Sequence, residues 1–150
     1  MRSSVPLYYD GIESYYLFGT AIWTALQKKI KIMKKIAIIG LGYSGLISAY
    51  EILQLCENIE ITIYDRSAAN GAGIAYNSHC NSHALNVVAS KMSAIEDKAD
   101  DFTKWLLDNS LIKEEAVADT FFAKRQYYGK YLLSILVDMQ QRYHDLVKII

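Results

Sequence analysis

The feature that most constrains the fold is a strand, a glycine turn, a helix and a second strand that follow one another over residues 34–65. Residues 34–39 (KKIAII) are a short, mainly apolar run, which predicts a parallel strand buried on both faces. Residues 44–56 (SGLISAYEILQLC) repeat apolar side chains at helical spacing, and residues 59–65 (IEITIYD) alternate isoleucine with polar residues. The sequence therefore predicts an α/β fold with a Rossmann-like βαβ unit and a parallel sheet.

Between the first strand and the helix lies the sequence GLGYSG, which fits the GxGxxG pattern. In that pattern Gly40 permits a tight turn, Gly42 lets the backbone approach a diphosphate, and Gly45 lets the helix pack closely on the strand. The helix N-terminus adds unpaired N–H groups and the positive end of the helix dipole, and Ser44 is placed to offer one of those N–H groups. The turn predicts a dinucleotide site, and by itself it does not separate FAD from NAD.

An acid follows the turn at the expected distance. Asp65 lies twenty residues after Gly45, at the end of the second strand. In a dinucleotide-binding unit a carboxylate at this place accepts hydrogen bonds from the adenosine ribose. Its negative charge disfavours a 2′-phosphate and hence an NADP-type adenosine, while the neighbouring cation of Arg66 acts in the opposite direction. The alternative is a plain strand-to-helix turn in which Asp65 is an ordinary strand-end residue.

Composition and residue spacing argue against several classes of function. The 150 residues carry sixteen basic and sixteen acidic side chains, so no basic excess supports nucleic-acid binding. Cys56 and Cys80 lack metal-ligand spacing, which favours two reduced thiols in a cytoplasmic protein and leaves a disulfide open. His79, Cys80 and His83 do not complete a four-ligand metal site. No nucleophile elbow is present to support hydrolase chemistry.

Residues 1–32 differ from the rest of the chain. The apolar run over residues 15–26 (YYLFGTAIWTAL) is shorter than the roughly 20 residues that span a bilayer, and its positive charges follow it instead of preceding it. Two interpretations stay open: a membrane-associating helix, or an upstream extension outside the working fold. The second is favoured, so we predict an extension over residues 1–32, no firm membrane association, and a domain over residues 33–150 with Met33 as its natural start.

The remainder of the chain predicts a loop, two helices and a last strand. Residues 67–91 contain two glycines, four asparagines and two histidines, which indicates an extended functional loop. An aspartate among residues 97–101 is expected to cap a helix over residues 102–107. Residues 126–143 read as a long amphipathic helix with its tyrosines in the core. Residues 146–150 (LVKII) predict another strand, and since the sequence stops there, we expect the fold to be truncated at its C-terminus.

Six blocks in order carry a family resemblance: KKIAIIGLGYSGL, ITIYDRS, GAGIAY, HALNVVASKMSAI, DDFTKWL and KRQYYGKYL. Together they resemble the N-terminal part of the bacterial FAD/NAD(P)-binding flavoproteins, distant relatives of the ornithine N-hydroxylase and flavin monooxygenase group. The resemblance covers residues 33–136. The chain departs from the family pattern at Tyr43, which sits inside the turn, and at Val88, where proline is common.

The resemblance implies FAD as the cofactor, NAD(P)H as a co-substrate and hydride transfer through the flavin. Within the turn and at the second strand end it implies cofactor contacts from Gly40, Gly42, Tyr43, Ser44, Gly45, Asp65 and Arg66. It places Gly73, His83 and Asn86 near the flavin end, with His83 as a polar group or proton donor, and it lets Arg125 pair with a phosphate or a carboxylate. No catalytic acid or base is identified.

Three functions remain open at this level. The chain is predicted to be the FAD-binding portion of an FAD/NAD(P)-dependent oxidoreductase. It is alternatively a non-catalytic truncated fragment, or a half that needs a partner chain or an oligomer. The third possibility is a small NAD(H)-binding regulatory domain, because the glycine turn and its acid serve the ADP moiety of either dinucleotide.

Overall fold

The computed structural model describes residues 33–66, 71–77, 82–113 and 120–150, all of which belong to one unit, Met33–Ile150. The predictions for residues 1–32, His79 and Cys80 lie outside the described residues. In chain order the elements are strand β1 (Lys34–Ile39), helix α1 (Tyr43–Leu55), strand β2 (Ile59–Tyr64), short helix α2 (Gly73–Tyr76), a 3₁₀ turn (Ala89–Lys91), helix α3 (Asp101–Asp108), helix α4 (Arg125–Arg142) and strand β3 (Val147–Ile149).

The three strands form one parallel sheet in the order β1-β2-β3. Lys34 lies opposite Ile59 at one end of the first pair, and Ile39 lies opposite Tyr64 at the other. The sheet and its helices confirm the predicted incomplete Rossmann-like α/β fold. Since all strands run the same way, their carboxyl ends meet at one edge, where β1 enters the glycine turn and β2 ends before Asp65.

The two faces of the sheet differ in burial. On one face Ile59, Ile61 and Ile63 of β2 are covered and contribute to the core. On the other face Ile39 is 82% exposed and Tyr64 is 45% exposed. The prediction that β1 is buried on both faces was therefore wrong. An apolar strand is buried on both faces only where helices cover both faces of the sheet. Among the described residues, the helices cover one face.

The helices bury apolar stripes in the core on that covered face, where α1 contacts β1 and β2 and α4 contacts α1, α2 and α3. Helix α1 contributes Leu46, Ala49, Tyr50 and Leu53. Helix α4 begins and ends one residue earlier than predicted, and its buried residues are Tyr128, Gly129, Tyr131, Leu132, Ile135, Leu136 and Met139. The prediction of core tyrosines holds for two of three, because Tyr127 is only partly buried and lies under the Lys124 ammonium, 5.7 Å from its ring centre.

Six rings at the junction of α1, α2, α3 and α4 form what we call the aromatic cluster. Its members are Tyr43, Tyr76, Phe102, Trp105, Tyr128 and Tyr131. Phe102 is central, since its ring centre lies 5.0 Å from those of both Tyr128 and Tyr131. Each such pair contributes about 0.5–1.5 kcal/mol beyond the area that it buries. The cluster thus fixes the three later helices to one another.

Hydrogen bonds of Tyr131 add to the cluster. Its hydroxyl donates to Asp101 Oδ2 at 2.7 Å and accepts the buried Ala94 N–H at 3.2 Å. Burial, followed by the bond to Asp101, raises the pKa of Tyr131 above its usual value. The residue therefore joins α4 to α3 and to the segment that precedes it.

Two local predictions need correction. The described parts of residues 67–91 are not a continuous loop, because they contain α2 and the 3₁₀ turn. Asp100 does occupy the N-cap of α3, but its side chain makes no cap hydrogen bond. The Asp100 carboxylate instead pairs with Lys104 Nζ at 2.7 Å, and this hydrogen bond lowers the pKa of Asp100. One helical turn separates the two residues, so the carboxylate that was expected to cap the helix is engaged in an i,i+4 ion pair.

Candidate functional site

The glycine turn lies between β1 and α1 at the carboxyl edge of the sheet. The Gly40 N–H donates to the Tyr64 carbonyl at 2.7 Å, which ties the start of the turn to the end of β2. Gly40 has φ +93°, a conformation that is strained for residues with a side chain. The Leu46 N–H donates to the Gly42 carbonyl at 2.9 Å and closes the first turn of α1. Glycine at position 40 is therefore required by the backbone.

Gly45 is required by a close approach. A Cβ atom at this position would lie 2.0 Å from the Gly40 carbonyl oxygen and 3.3 Å from Ile38 Cγ2. Because the contacted atom belongs to the backbone, the turn itself would have to shift to make room for a side chain. The first turn of α1 consequently packs directly on the end of β1, which is the packing role expected for the third glycine of the pattern.

The N-terminus of α1 has no neutralising group of its own. Its N-cap is Gly42, which makes no side-chain cap hydrogen bond, and its first turn contains no acidic residue. Helices usually satisfy these N–H groups with a Ser, Thr, Asp or Asn cap. The exposed Ser44 lies within this first turn. Within the described residues, α1 itself therefore supplies no side chain that would compensate the positive end of its dipole, which is the end that favours an anion.

Asp65 is joined to the turn by its side chain. One carboxylate oxygen, Oδ2, accepts a hydrogen bond from the Leu41 N–H inside the glycine turn. The Asp65 backbone N–H donates to the Ile150 carbonyl at 2.8 Å, which continues the pairing of β2 with β3. The sequence pattern assigned this acid to a ribose and did not reveal the Leu41 contact. The sequence signal for this contact is the need of each buried N–H in the turn for an acceptor, which a carboxylate at the end of the neighbouring strand can supply.

A second glycine segment abuts the first. Gly73, at the start of α2, has φ +56°, and a Cβ atom placed on it would lie 2.9 Å from Gly42 Cα. From the other side, a Cβ atom on Gly42 would lie 3.6 Å from Gly73 Cα, which is an ordinary contact distance. The two glycine segments thus meet backbone to backbone. Ile74, the next residue, is fully exposed beside them.

Tyr43 forms the link between the turn and the aromatic cluster. It is the first residue of α1, its side chain is partly exposed, and its ring centre lies 6.3 Å from that of Tyr128. Tyr128 in turn contacts Tyr76 of α2, with ring centres 4.7 Å apart. Burial raises the pKa of Tyr128, and the neighbouring Tyr43 adds to that effect. The departure from the family pattern at Tyr43 is therefore accommodated by packing against α4.

Arg125 and His83, two further predicted site residues, form a separate group. The His83 carbonyl accepts the Arg125 N–H at 2.8 Å, and Arg125 Nε donates to the Ala84 carbonyl at 3.4 Å. These contacts belong to an isolated antiparallel bridge between Ala84 and Lys124 at the start of α4. The side chains of His83, Asn86 and Arg66 face solvent for the most part. The structure brings Arg125 and His83 together in one group. It brings Gly40, Gly42, Gly45, Asp65 and Gly73 together in another, at the glycine turn.

A parallel βαβ sheet with a glycine turn, a helix N-terminus without a side-chain cap and an acid after the second strand is the arrangement typical of the dinucleotide-binding class of proteins. The sequence profile of the FAD-NAD(P)-binding family matches residues 37–149. The chain belongs to this family, which confirms the resemblance drawn from the sequence blocks.

One relative is a protein of Escherichia coli (strain K12), the uncharacterized protein YdhS. It is 28% identical over 108 residues, which cover 66% of this chain and 20% of that protein. The chain thus spans about a fifth of the length of the relative. Family membership is consistent with a flavin or a nicotinamide dinucleotide and does not choose between them. Within the described part of the chain, no helix has the length and apolar character needed to cross a membrane.

Proposed function

We propose that this chain forms the ADP-binding part of an FAD site in a flavin-dependent oxidoreductase. The observation that carries the proposal is that the N-terminus of α1, which has no side-chain cap, and the Asp65 carboxylate lie beside each other at one edge of the sheet. The first offers backbone donors to a diphosphate, and the second offers acceptors to a ribose. These are the two chemical groups that adjoin each other in the ADP half of FAD and of NAD.

The residues of the turn fit that ADP half. Gly40, Gly42 and Gly45 keep side chains away from the backbone, and Ser44 adds a backbone N–H in the first turn of α1. The Asp65 carboxylate would repel a 2′-phosphate, which supports a preference for FAD or NAD over NADP at this position. Arg125 and His83 form a second group, which we assign to the part of the dinucleotide beyond the diphosphate or to a carboxylate.

The choice of FAD over NAD depends on the blocks that follow Asp65. The GAGIAY segment returns to the glycine turn, where Gly73 meets Gly42, and the family resemblance assigns this segment to a flavin site. When bound, a flavin supplies the acceptance of a hydride from a nicotinamide and its delivery to an acceptor. The residues of this chain would bind and orient that cofactor. Cytoplasmic location and NAD(P)H as the co-substrate are part of the proposal.

A second candidate is a dinucleotide-binding half that acts only with a partner chain. Two observations favour it. The chain matches a fifth of the YdhS protein, and one face of β1 is exposed at Ile39. In that case the purified chain would bind the dinucleotide and show no turnover until the partner is added. A small NAD(H)-binding regulatory domain is the remaining alternative, because the ADP moiety is common to both cofactors.

The test is a charge placed at the helix N-terminus. Ser44→Glu should stabilise α1 by about 0.3–1 kcal/mol, since an acid in the first turn favours the helix dipole. The same carboxylate should repel a diphosphate and weaken FAD or ADP binding by at least about tenfold. Ser48→Glu, one helical turn further on, is the matched control and should change affinity less. Calorimetric titration and thermal unfolding measure the two effects.

The ligand panel separates the candidates. We expect FAD and ADP to bind, with NADP⁺ the weakest ligand, and the reconstituted protein to show the visible absorbance of a flavin. Binding of NAD⁺ without FAD would favour the regulatory alternative. A protein that binds none of these ligands, or a Ser44→Glu variant with unchanged affinity, would overturn the assignment of the turn as a diphosphate site.

A further inference from the structure

We infer that Asp65 positions the phosphate-binding turn through its side chain, a role separate from any contact with a ribose. The inference rests on the proposed function in one respect, namely that the turn binds a diphosphate. Its structural basis is the hydrogen bond from the Leu41 N–H to Asp65 Oδ2. This bond joins the end of β2 to the residue between the first two glycines of the turn.

The turn begins with two consecutive N–H groups, and both are accepted at the end of β2. The Gly40 N–H donates to the Tyr64 carbonyl, and the Leu41 N–H donates to the Asp65 carboxylate. The Leu41 side chain is only 2% exposed, so this residue is fixed in the core on its other side. A backbone donor in such surroundings requires an acceptor, and here a side chain supplies it.

The contact matters because glycine leaves the turn with few other restraints. Gly40 has φ +93° and Gly42 has no side chain, so neither residue restricts the backbone by its own bulk. The Asp65 carboxylate holds Leu41 between them. A carboxylate accepts several hydrogen bonds at its two oxygens, so the Leu41 contact is compatible with a ribose hydroxyl on the same group.

Charge and geometry predict opposite effects for the removal of Asp65. If the carboxylate acted on a diphosphate only through its negative charge, its loss would strengthen the binding of an anion. If it positions the donors of the turn, its loss weakens the binding of an anion that lacks ribose hydroxyls. The sign of the change therefore distinguishes the two roles.

The probe is 2′,3′-dideoxy-ADP, which keeps the diphosphate and removes both hydroxyls that a ribose would offer. We expect Asp65→Ala to weaken this ligand by about tenfold, the effect of one lost hydrogen bond to a charged group. Asp65→Asn keeps an acceptor for the Leu41 N–H and removes the charge. Its affinity for dideoxy-ADP should equal or exceed that of the wild type, while its affinity for ADP should fall.

A structural readout accompanies the titration. The Leu41 amide should exchange with solvent faster in Asp65→Ala than in the wild type, and Asp65→Asn should restore the protection. If Asp65→Ala does not fold, Asp65→Glu takes its place, because the longer side chain keeps the charge and moves the carboxylate away from Leu41. Weaker binding of dideoxy-ADP by Asp65→Glu than by the wild type, which carries the same charge, is then the expected result, and equal binding would overturn the positioning role.

The outcomes separate this inference from the proposed function. Unchanged or tighter binding of dideoxy-ADP by Asp65→Ala, in a wild type that binds ADP, would overturn the positioning role and leave the dinucleotide site intact. A wild type that binds neither ADP nor FAD would overturn the proposed function. In that case amide exchange at Leu41 decides the positioning role, and equal exchange in the wild type and Asp65→Ala would refute it.

Discussion

The glycine turn and the aromatic cluster are adjacent, share Tyr43, and are built in opposite ways. The turn is held by backbone hydrogen bonds, one carboxylate and close contacts that exist because Cβ atoms are missing. The cluster is held by large rings, of which Phe102, Tyr128 and Tyr131 are almost fully buried. This difference suggests that the turn sets the affinity for a ligand, whereas the cluster sets the free energy of unfolding. Substitutions in the two regions should therefore have separable effects.

The largest expected effect is on stability, in the cluster. Phe102→Ala removes the central ring, which is fully buried, and should lower the free energy of unfolding by about 3–5 kcal/mol. Urea denaturation measures this change. Phe122→Ala is the control, because Phe122 is 50% exposed and should cost far less. The folded fraction of Phe102→Ala should bind ADP as the wild type does. A tenfold loss of affinity in this variant would contradict the separation of stability and affinity between the two regions.

The next effect belongs to the turn. Gly45→Ala places a Cβ 2.0 Å from the Gly40 carbonyl oxygen, so the turn must shift. We expect a loss of stability of about 1–3 kcal/mol together with a loss of ADP affinity. Gly42→Ala is the matched variant, since its Cβ would meet Gly73 Cα at an ordinary 3.6 Å. It should lose affinity with little change in stability. Equal melting temperatures for Gly45→Ala and the wild type would contradict the close contact.

A single hydroxyl tests the polar part of the cluster. Tyr131→Phe keeps the ring and removes the group that bonds Asp101 and the Ala94 N–H. The buried Ala94 donor would lose its acceptor, and we expect a cost of about 1–3 kcal/mol. Asp101→Asn in the same background shows whether the two changes are coupled. Stability equal to that of the wild type would mean that another acceptor replaces the hydroxyl.

The smallest effect concerns alkaline pH. Burial raises the pKa of Tyr128 above the usual value near 10.0, so the folded state keeps its proton where the unfolded chain loses it. The contribution of protonated Tyr128 to the free energy of unfolding is therefore complete below the pKa of the tyrosine in the unfolded chain. This contribution declines as the pH rises above that value. We expect a decrease of about 1 kcal/mol for this tyrosine between roughly pH 9 and 11. Thermal unfolding over that range should show a shallower decline in Tyr128→Phe than in the wild type.

Much of the fold could be predicted because it is encoded in local patterns. The bounds of β1 coincide with the predicted ones, and α4 is displaced by one residue at each end. Apolar side chains repeat with the period of each element, and Asn58, which ends the helical pattern before β2, has φ 57°. The positions of Gly40, Gly45 and Asp65 at the sheet edge follow from the same order of elements.

Other features depend on residues that are distant in the chain. The contact between Gly42 and Gly73 depends on the course of the chain after β2. The spacing of apolar residues in the sequence does not predict that course. The bond from Leu41 to Asp65 requires knowledge of which acceptor lies beside each N–H group. The exposed face of β1 was mispredicted because an apolar run indicates what a strand is suited to pack against, and not what covers it in this chain.

The exposed face of the sheet has a practical consequence for solubility. Ile39, Tyr64 and Ile150 place apolar surface there, since they are 82%, 45% and 55% exposed. The formal net charge is zero and the isoelectric point is about 6.8, so electrostatic repulsion between molecules is weak near neutral pH. Purification well away from that pH should keep the polypeptide dispersed at concentrations where it would otherwise precipitate.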